Sequence, residues 1–275
     1  MKTKLKKHSF WRDLREQIKA NKTTAAVYFV LRVIVIVTMI LQFFNGNYEN
    51  VLYCVLTLIL FLMPTFVERS FNLDLPSTLE VIIMLFIFAA EVLGEINAFY
   101  LRFPFWDTML HTLNGFLAAA IGFAMVDLLN EKEKFSLKLS PFFMAVVAFC
   151  FSMSIGVLWE FFEFGMDVIF HTDMQKDTVL SAIYSVDLNE SILNVPVEVK
   201  GIRDIIAVTD EGNVSLGVGG FLDIGIYDTM VDLFVNFIGA VVFSVFGYFY
   251  VKNRGKNKLM KGLLPVKRYW KEENK

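Results

Sequence analysis

Long apolar stretches recur along the chain and alternate with short polar segments. A helix that crosses a hydrocarbon core about 30 Å thick needs about 20 predominantly apolar residues. Six stretches have this character, and they cover residues 25–44, 51–67, 79–100, 107–129, 141–169 and 227–251. The pattern therefore predicts an all-α integral membrane protein with six transmembrane helices.

The distribution of lysine and arginine predicts how these helices are oriented. Basic residues are dense before the first span, after the last span and at residues 132–138, and Arg69 follows the second span. The loop after the first span has none, and the loop after the third span has only Arg102. Because cytoplasmic loops are enriched in lysine and arginine, both termini are predicted to be cytoplasmic.

This topology divides the chain into five segments. They are a cytoplasmic basic interfacial segment (1–24), the first five transmembrane helices (25–169), an external acidic cap (170–226), the sixth transmembrane helix (227–251) and a cytoplasmic basic tail (252–275). In the predicted cap, nine acidic residues stand against three lysine or arginine residues. Apolar and polar residues alternate around Lys200-Gly201 and Glu211-Gly212-Asn213. This alternation predicts a small external cap of loops and a β-hairpin.

Composition narrows the class of protein further. Hydrophobic residues make up 56% of the chain and the mean hydropathy is +0.53, whereas a soluble domain is about 45–50% apolar. These values exclude a secreted disulfide scaffold, a disordered tail, a nucleic-acid binder and an ordinary cytosolic enzyme. Cys54 and Cys150 lie inside apolar runs, which predicts small core residues rather than a disulfide or a metal-binding pair.

Charged and polar residues nevertheless cluster toward one end of four of the predicted spans. Each ionisable side chain costs about 2.5–3.5 kcal/mol at the bilayer centre, so these residues should face one another, water or a bound ion. They fall at similar depths near the predicted outer surface, because a helix rises about 1.5 Å per residue. The residues are Glu91, Glu95, Asp107, His111, Asn114, Glu160, Glu163, Asp167, Asp228, Asp232 and Asn236. The pattern predicts a polar pocket that opens to the outside.

The residue types in this predicted pocket suggest its chemistry. Carboxylates at i, i+3 and i, i+4 spacings, together with one imidazole, are a ligand set for a divalent metal ion. Asn236 is expected to orient these groups by hydrogen bonding, and Glu91, Glu95, Asp107, Asn114 and Asp167 to line the pocket with it. The expected metal ligands or acid/base groups are His111, Glu160, Glu163, Asp228 and Asp232.

Three alternatives to a metal site stay open. The same residues without a metal form an acid cluster in which one carboxyl acts as a general acid and another as a base. They also suit a proton relay in a transporter. Alternatively, they hydrogen-bond across helices and simply hold the bundle together.

Three motifs in the last three predicted spans resemble a known family. Trp106-Asp-Thr-Met-Leu-His111 resembles the (Y/W)-D-x-x-x-H that opens a span in the YjdF-like inner-membrane proteins, and Glu160-Phe-Phe-Glu163-Phe resembles their E-x-x-E-W. The segment from Tyr227 to Ala240 resembles their W-D-T-Q-x-D-M-x-x-x-x-x-G-A, with Tyr227 in place of Trp and Met230 in place of Gln. Its D-x-x-x-N-x-x-G-A part is also similar to the VanZ-like family.

The resemblance covers roughly residues 100–250 and implies a multi-pass protein of the bacterial plasma membrane. Its VanZ-like part implies a lipid-linked or cell-wall substrate. The first functional hypothesis is therefore an enzyme-like or metal-binding pocket that acts at the outer leaflet of the lipid bilayer. A small proton- or ion-coupled transporter is the second. A structural or partner-binding protein, suggested by the long cap alone, is the third.

Overall fold

The computed structural model describes residues 22–71, 73–130, 139–191, 194–253, 263–264 and 266–267. Most of the predicted interfacial segment (1–24) and most of the predicted tail (252–275) therefore lie outside the described residues. Within the described ranges the protein is mostly helical, with short strands concentrated between the last two long helices.

The described residues form helices and short strands, which are numbered separately in chain order. The helices are α1 (Lys22–Phe44), α2 (Tyr48–Leu60), α3 (Met63–Phe71), α4 (Ser77–Phe88), a π-helical segment (Ala89–Ile96), α5 (Phe99–Arg102), α6 (Trp106–Asn130), α7 (Pro141–Phe170) and α8 (Ile226–Lys252). The strands are β1 (Leu73–Asp74), β2 (Val179–Leu180), β3 (Ala182–Ser185), β4 (Val197–Lys200), β5 (Ile206–Thr209), β6 (Gly212–Ser215), β7 (Phe221–Leu222) and β8 (Val266–Lys267).

Helices long and apolar enough to cross a membrane account for most of the predicted spans. In the described part of the chain there are five of them: Thr24–Phe44, Tyr48–Ser70, Trp106–Asp127, Pro141–Phe170 and Ile226–Lys252. The predicted third span, residues 79–100, is not one of the five. It consists of α4 and the π-helical segment, and it ends at Ile96 because Ala98 adopts a left-handed backbone with φ of 56°.

The predicted second span contains a break that the hydropathy pattern did not indicate. Regular hydrogen bonding stops after α2, because Pro64 has no N–H and its ring opposes the carbonyl one turn earlier. The Arg32 guanidinium of α1 donates a hydrogen bond of 3.2 Å to the carbonyl oxygen of Phe61, which lies in the break. The same guanidinium lies 5.1 Å from the centre of the Tyr28 ring. Arg32 of α1 therefore supplies a hydrogen bond to the irregular backbone between α2 and α3.

The described chain separates into two compact units. Unit 1 comprises Met1–Gly156 and Val235–Lys275, and unit 2 comprises Val157–Phe234. Unit 1 has a buried apolar cluster that includes Cys54, as predicted for that cysteine. Cys150 is exposed instead, so its predicted core position is wrong. An apolar run in a membrane helix has a lipid-facing side as well as a packed side, and composition alone does not distinguish them.

Close helix crossings in unit 1 depend on glycine. A Cβ atom on Gly115 of α6 would lie 2.1 Å from the carbonyl oxygen of Asn236 on α8, and one on Gly239 would lie 2.0 Å from the carbonyl oxygen of Thr112. The Ser152 hydroxyl of α7 donates a 2.7 Å hydrogen bond to the Gly115 carbonyl. Small residues allow membrane helices to approach each other at backbone distance, and at this crossing of α6 and α8 both contacts are too close for any side chain.

One short pairing in unit 1 joins distant parts of the chain. Strand β1 pairs antiparallel with β8, so that Leu73 lies opposite Lys267 and Asp74 opposite Val266. Leu264, just before β8, is buried in an apolar cluster with Phe123 and Phe243. The described end of the chain therefore completes the structure of unit 1.

Unit 2 contains the small sheet region. Strands β5 and β6 form an antiparallel hairpin across Asp210 and Glu211, at one of the two predicted turns. At the other predicted turn, Gly201 has φ of +69° and ends β4, whose partner is the earlier strand β3. Strand β2 pairs with β7. Strands were therefore expected in the correct region, but their partners were not all neighbours in sequence.

Candidate functional site

The predicted site residues of unit 1 lie on α6, α8 and the π-helical segment. His111 is buried, and its Nε2 atom lies 3.5 Å from a carboxylate oxygen of Asp107, one helical turn earlier. At this distance the Asp107 carboxylate orients the imidazole, and it forms an ion pair with His111 when the imidazole is protonated. Asp107 and His111 are therefore brought together, as their i, i+4 spacing predicted.

Asn114 and Asn236 form a second contact within unit 1. The Asn114 Nδ2 atom donates a 3.1 Å hydrogen bond to Oδ1 of Asn236. The Nδ2 atom of Asn236 lies 3.7 Å from the sulfur of Met153 and occupies the space beside Gly156. Asn236 is fully buried at a helix crossing, and its described hydrogen bonds join helices.

Glu91 and Glu95 both belong to the π-helical segment. Glu91 is buried and Glu95 is partly buried. The wider π-helical turn changes which residues share a face, so the α-helical spacing assumed from the sequence does not apply to this pair. Asn97 follows the segment and its side chain donates a 2.6 Å hydrogen bond to the Val92 carbonyl. π-Helical turns within longer helices are frequent at functional sites.

In unit 2, Glu160 and Glu163 form a buried pair of carboxylates. They lie one turn apart near the end of α7, are 4% and 7% exposed, and have carboxylate oxygens within 4.8 Å of each other. The Trp159 indole N–H donates a 2.8 Å hydrogen bond to Oε1 of Glu163 and fixes its orientation. Asp232 in the first turns of α8 is 2% exposed. Unit 2 therefore buries three carboxyl groups on helix ends.

Asp167 and Asp228 hold the loop that follows α7. Asp167 accepts hydrogen bonds from the backbone N–H groups of Met174 (2.7 Å) and Gln175 (2.9 Å) and from the Thr172 hydroxyl (2.8 Å). Asp228 accepts one of 2.8 Å from the Lys176 backbone. Both carboxylates are thus engaged in organising the chain, a role that the sequence did not predict for them.

The structure also reveals an anchoring carboxylate that sequence reasoning missed. Asp223 is buried and accepts hydrogen bonds from the backbone N–H groups of Thr178 (2.7 Å), Tyr227 (2.8 Å) and Gly225 (3.3 Å). It joins the start of α8 to the loop before β2. The signal in the sequence was weak: an aspartate four residues before a helix-opening tyrosine, next to Gly225, is a common turn arrangement.

Asp177 lies at the same surface as these anchoring carboxylates. Partial desolvation raises its pKa above the ordinary value for aspartate, and repulsion by neighbouring carboxylates raises it further. The repelling residues are Asp173, Asp223 and Asp167, and Lys176 acts in the opposite direction. A carboxyl whose pKa is raised by folding contributes stability below its unfolded pKa and loses that contribution as the pH rises through its folded pKa.

Neutralising Asp177 should therefore stabilise the protein at neutral pH. We expect Asp177→Asn to raise the melting temperature at pH 7, with the gain disappearing below the ordinary aspartate pKa of about 3.9, where the wild-type carboxyl is protonated in both states. Thermal melts in detergent across this pH range measure the difference. Asp210→Asn, at the exposed hairpin turn, is the matched control and should change the melting temperature little at either pH. An equal gain at both pH values would contradict the electrostatic cause.

Comparison with known proteins identifies a family of membrane proteins to which this chain belongs. The helices and their hydropathy are those of a multi-pass membrane protein. Residues 26–253 match the model of a family described as "Predicted membrane protein (DUF2238)", and the chain belongs to this family.

The chain was also compared with individual proteins and with solved structures. A Thermotoga maritima protein named "Uncharacterized protein" is 28% identical over 125 residues, which are 44% of this chain and 62% of that protein. The match thus spans less than two thirds of that relative. No solved structure matches the chain.

Proposed function

We propose that the protein carries an outward-facing His/Glu/Asp site that binds a divalent cation and acts on a lipid or cell-envelope substrate at the outer leaflet. The proposed ligands or acid/base groups are His111, Glu160, Glu163, Asp228 and Asp232. Asn236 is the proposed orienting group, and the proposed pocket is completed by Glu91, Glu95, Asp107, Asn114 and Asp167. The substrate class rests on the YjdF-like and VanZ-like motif resemblances, which are part of this proposal.

The observation that carries the proposal is the buried carboxylate pair in unit 2. Glu160 and Glu163 have oxygens within 4.8 Å of each other, and Asp232 is buried in the same unit. Burying several like charges is unfavourable unless a cation or shared protons compensate them. Carboxylate oxygens suit hard divalent cations, and an added imidazole shifts the preference toward transition metals. The donor set therefore fits a divalent metal ion.

The proposed topology has six spans with both termini in the cytoplasm. Strand β1 pairs with β8, so the number of membrane crossings between these strands must be even. Helices α6, α7 and α8 supply three crossings. The fourth is supplied by α4 and the π-helical segment, whose 12 and 8 residues together reach the length of a span. This pairing supports a sixth span.

Reporter fusions test this topology directly. Fusions after Lys22, Lys134 and Lys256 should report the cytoplasm, because the basic segments follow the positive-inside rule. Fusions after Asn47 and Gly212 should report the outside. A cytoplasmic signal after Gly212 would remove the basis for an outward-facing site.

Elemental mass spectrometry tests the proposed metal. Protein purified without chelators should carry a near-stoichiometric divalent metal, and the double variant Glu160→Gln, Asp232→Asn should lose it, because charge is removed while side-chain size is kept. The matched control, Asp210→Asn with Glu211→Gln, neutralises two acids at the exposed hairpin turn and should keep the metal.

Two results would contradict the metal proposal. Wild-type protein without metal in gentle preparations would leave a proton-binding acid cluster as the explanation of the buried carboxyls. Metal retained at full stoichiometry in the Glu160→Gln, Asp232→Asn variant would show that other residues bind it.

A further inference from the structure

Glu91 is a buried carboxyl whose environment differs from that of the other predicted site residues. It belongs to unit 1 and is 2% exposed. Its Oε2 atom has no hydrogen-bond partner among the described residues. Burial of a carboxylate oxygen without a donor is costly, because the water that solvated it has been removed and not replaced.

Donors are present around the π-helical segment, but they bind its backbone. The Trp106 indole N–H donates a 3.2 Å hydrogen bond to the Ala89 carbonyl, and the Asn97 side chain binds the Val92 carbonyl. The irregular turn is thus stabilised by side chains from outside it. The Glu91 carboxyl, carried by the same turn, is held in a fixed and buried position.

The charge acting on Glu91 has the wrong sign to compensate it. The titratable groups on its own segment and on the elements packed against it are Glu95, Tyr48, Glu49, Tyr53, Cys54, Glu80, Tyr100, Arg102, Asp107, His111 and Asp127. Among them, Glu95 exerts an electrostatic effect on Glu91, and this effect is repulsive. A negative Glu91 would therefore be opposed both by burial and by its neighbour.

We propose that Glu91 is a binding site for one positive charge, either a proton or a monovalent metal cation. Either ligand neutralises the carboxylate and so removes the cost of burying its charge. A single charge suffices because Glu95 is only partly buried and has interactions of its own. Glu91 lies in unit 1 and is assigned to the lining of the proposed pocket rather than to the ligands of its divalent cation, so this positive charge is additional to that cation.

Carbodiimide labelling of wild-type protein tests this site. Dicyclohexylcarbodiimide enters membranes and reacts with protonated carboxyl groups, so mass spectrometry of peptides should find the adduct on Glu91 in sodium-free buffer. If the ligand is a proton, the labelling rate should fall as the pH rises, by about tenfold per pH unit once the group is mostly ionised. If the ligand is a metal cation, adding sodium at constant pH should also slow the labelling.

Two variants serve as controls, and three results would overturn the site. Glu91→Gln should abolish the adduct on this peptide, whereas Glu80→Gln, on the preceding helix, should leave labelling of Glu91 unchanged. An adduct on Glu95 instead of Glu91, the absence of any adduct on Glu91 at all pH values, or a Glu91 labelling rate that depends on neither pH nor sodium would each contradict the proposal. Peptide-resolved labelling of the wild type gives the answer even if a variant fails to fold.

Discussion

Alanine at Gly115 or Gly239 should lower the free energy of unfolding by about 2–3 kcal/mol, since overpacking a close contact has costs of this order. The added Cβ would lie 2.1 Å from the Asn236 carbonyl oxygen in the first case and 2.0 Å from the Thr112 carbonyl oxygen in the second. Neither neighbour is a flexible side chain, so the helices themselves must separate. The Asn114–Asn236 hydrogen bond at the same crossing should weaken with them.

Thermal melts in detergent and the yield of monodisperse protein measure this loss. Gly165→Ala is the matched control, because Gly165 is also inside a long helix and has no atom within 4 Å of an added Cβ. Alanine favours the helix over glycine by about 0.8–1.0 kcal/mol, so the control should be neutral or stabilising. Equal losses at Gly165 and Gly115 would show that helix contact is not the cause.

Asp223→Ala should destabilise unit 2 by several kcal/mol, because buried hydrogen bonds to a charged group each contribute about 1.5–3 kcal/mol. Three backbone N–H groups, those of Thr178, Gly225 and Tyr227, would lose their acceptor. The loss should be local and should open the β2–β7 pair, whose strands flank these residues. Asp223→Asn keeps one acceptor oxygen and should have an intermediate effect.

Hydrogen exchange resolves this effect by position. Amides at residues 178–180 and 221–222 should exchange faster in Asp223→Ala, while amides of the β5–β6 hairpin should be little changed. Asp210→Ala, at the tip of that hairpin, is the control and should alter neither region. Unchanged exchange at residues 178–180 in Asp223→Ala would show that this carboxylate does not anchor the loop.

The hydrophobic pattern predicted the positions of the long helices, but it did not predict where the helices are interrupted or become π-helical. The spans expected at residues 25–44, 107–129 and 141–169 agree with α1, α6 and α7 to within a few residues, because about 20 apolar residues favour a helix in a membrane. The break at Phe61 and Leu62 was missed, although Pro64 provided a signal for it. The π-helical segment has no distinctive composition, so apolar periodicity predicted an uninterrupted helix there.

Proximity of the proposed site residues was predictable where spacing within one helix determines the geometry. The i, i+4 pair Asp107–His111 and the i, i+3 pair Glu160–Glu163 lie together within their own units, as helical periodicity requires. Asp223 was missed because its partners are backbone N–H groups, and an aspartate beside a glycine is too common a turn arrangement to identify an anchoring carboxylate. For the same reason, the loop-binding roles of Asp167 and Asp228 emerged only from the structure.

The pairing of β1 with β8 has a consequence for biosynthesis. Strand β8 follows β1 by about 190 residues along the chain, so residues 73–74 are made long before their partner leaves the ribosome. The entropy cost of closing such a long loop grows only with the logarithm of its length, and the intervening helices shorten the effective loop as they form. The segment that carries Leu264 and β8 is synthesised after all the long helices of unit 1. Unit 1 therefore cannot be completed while those helices are being translated.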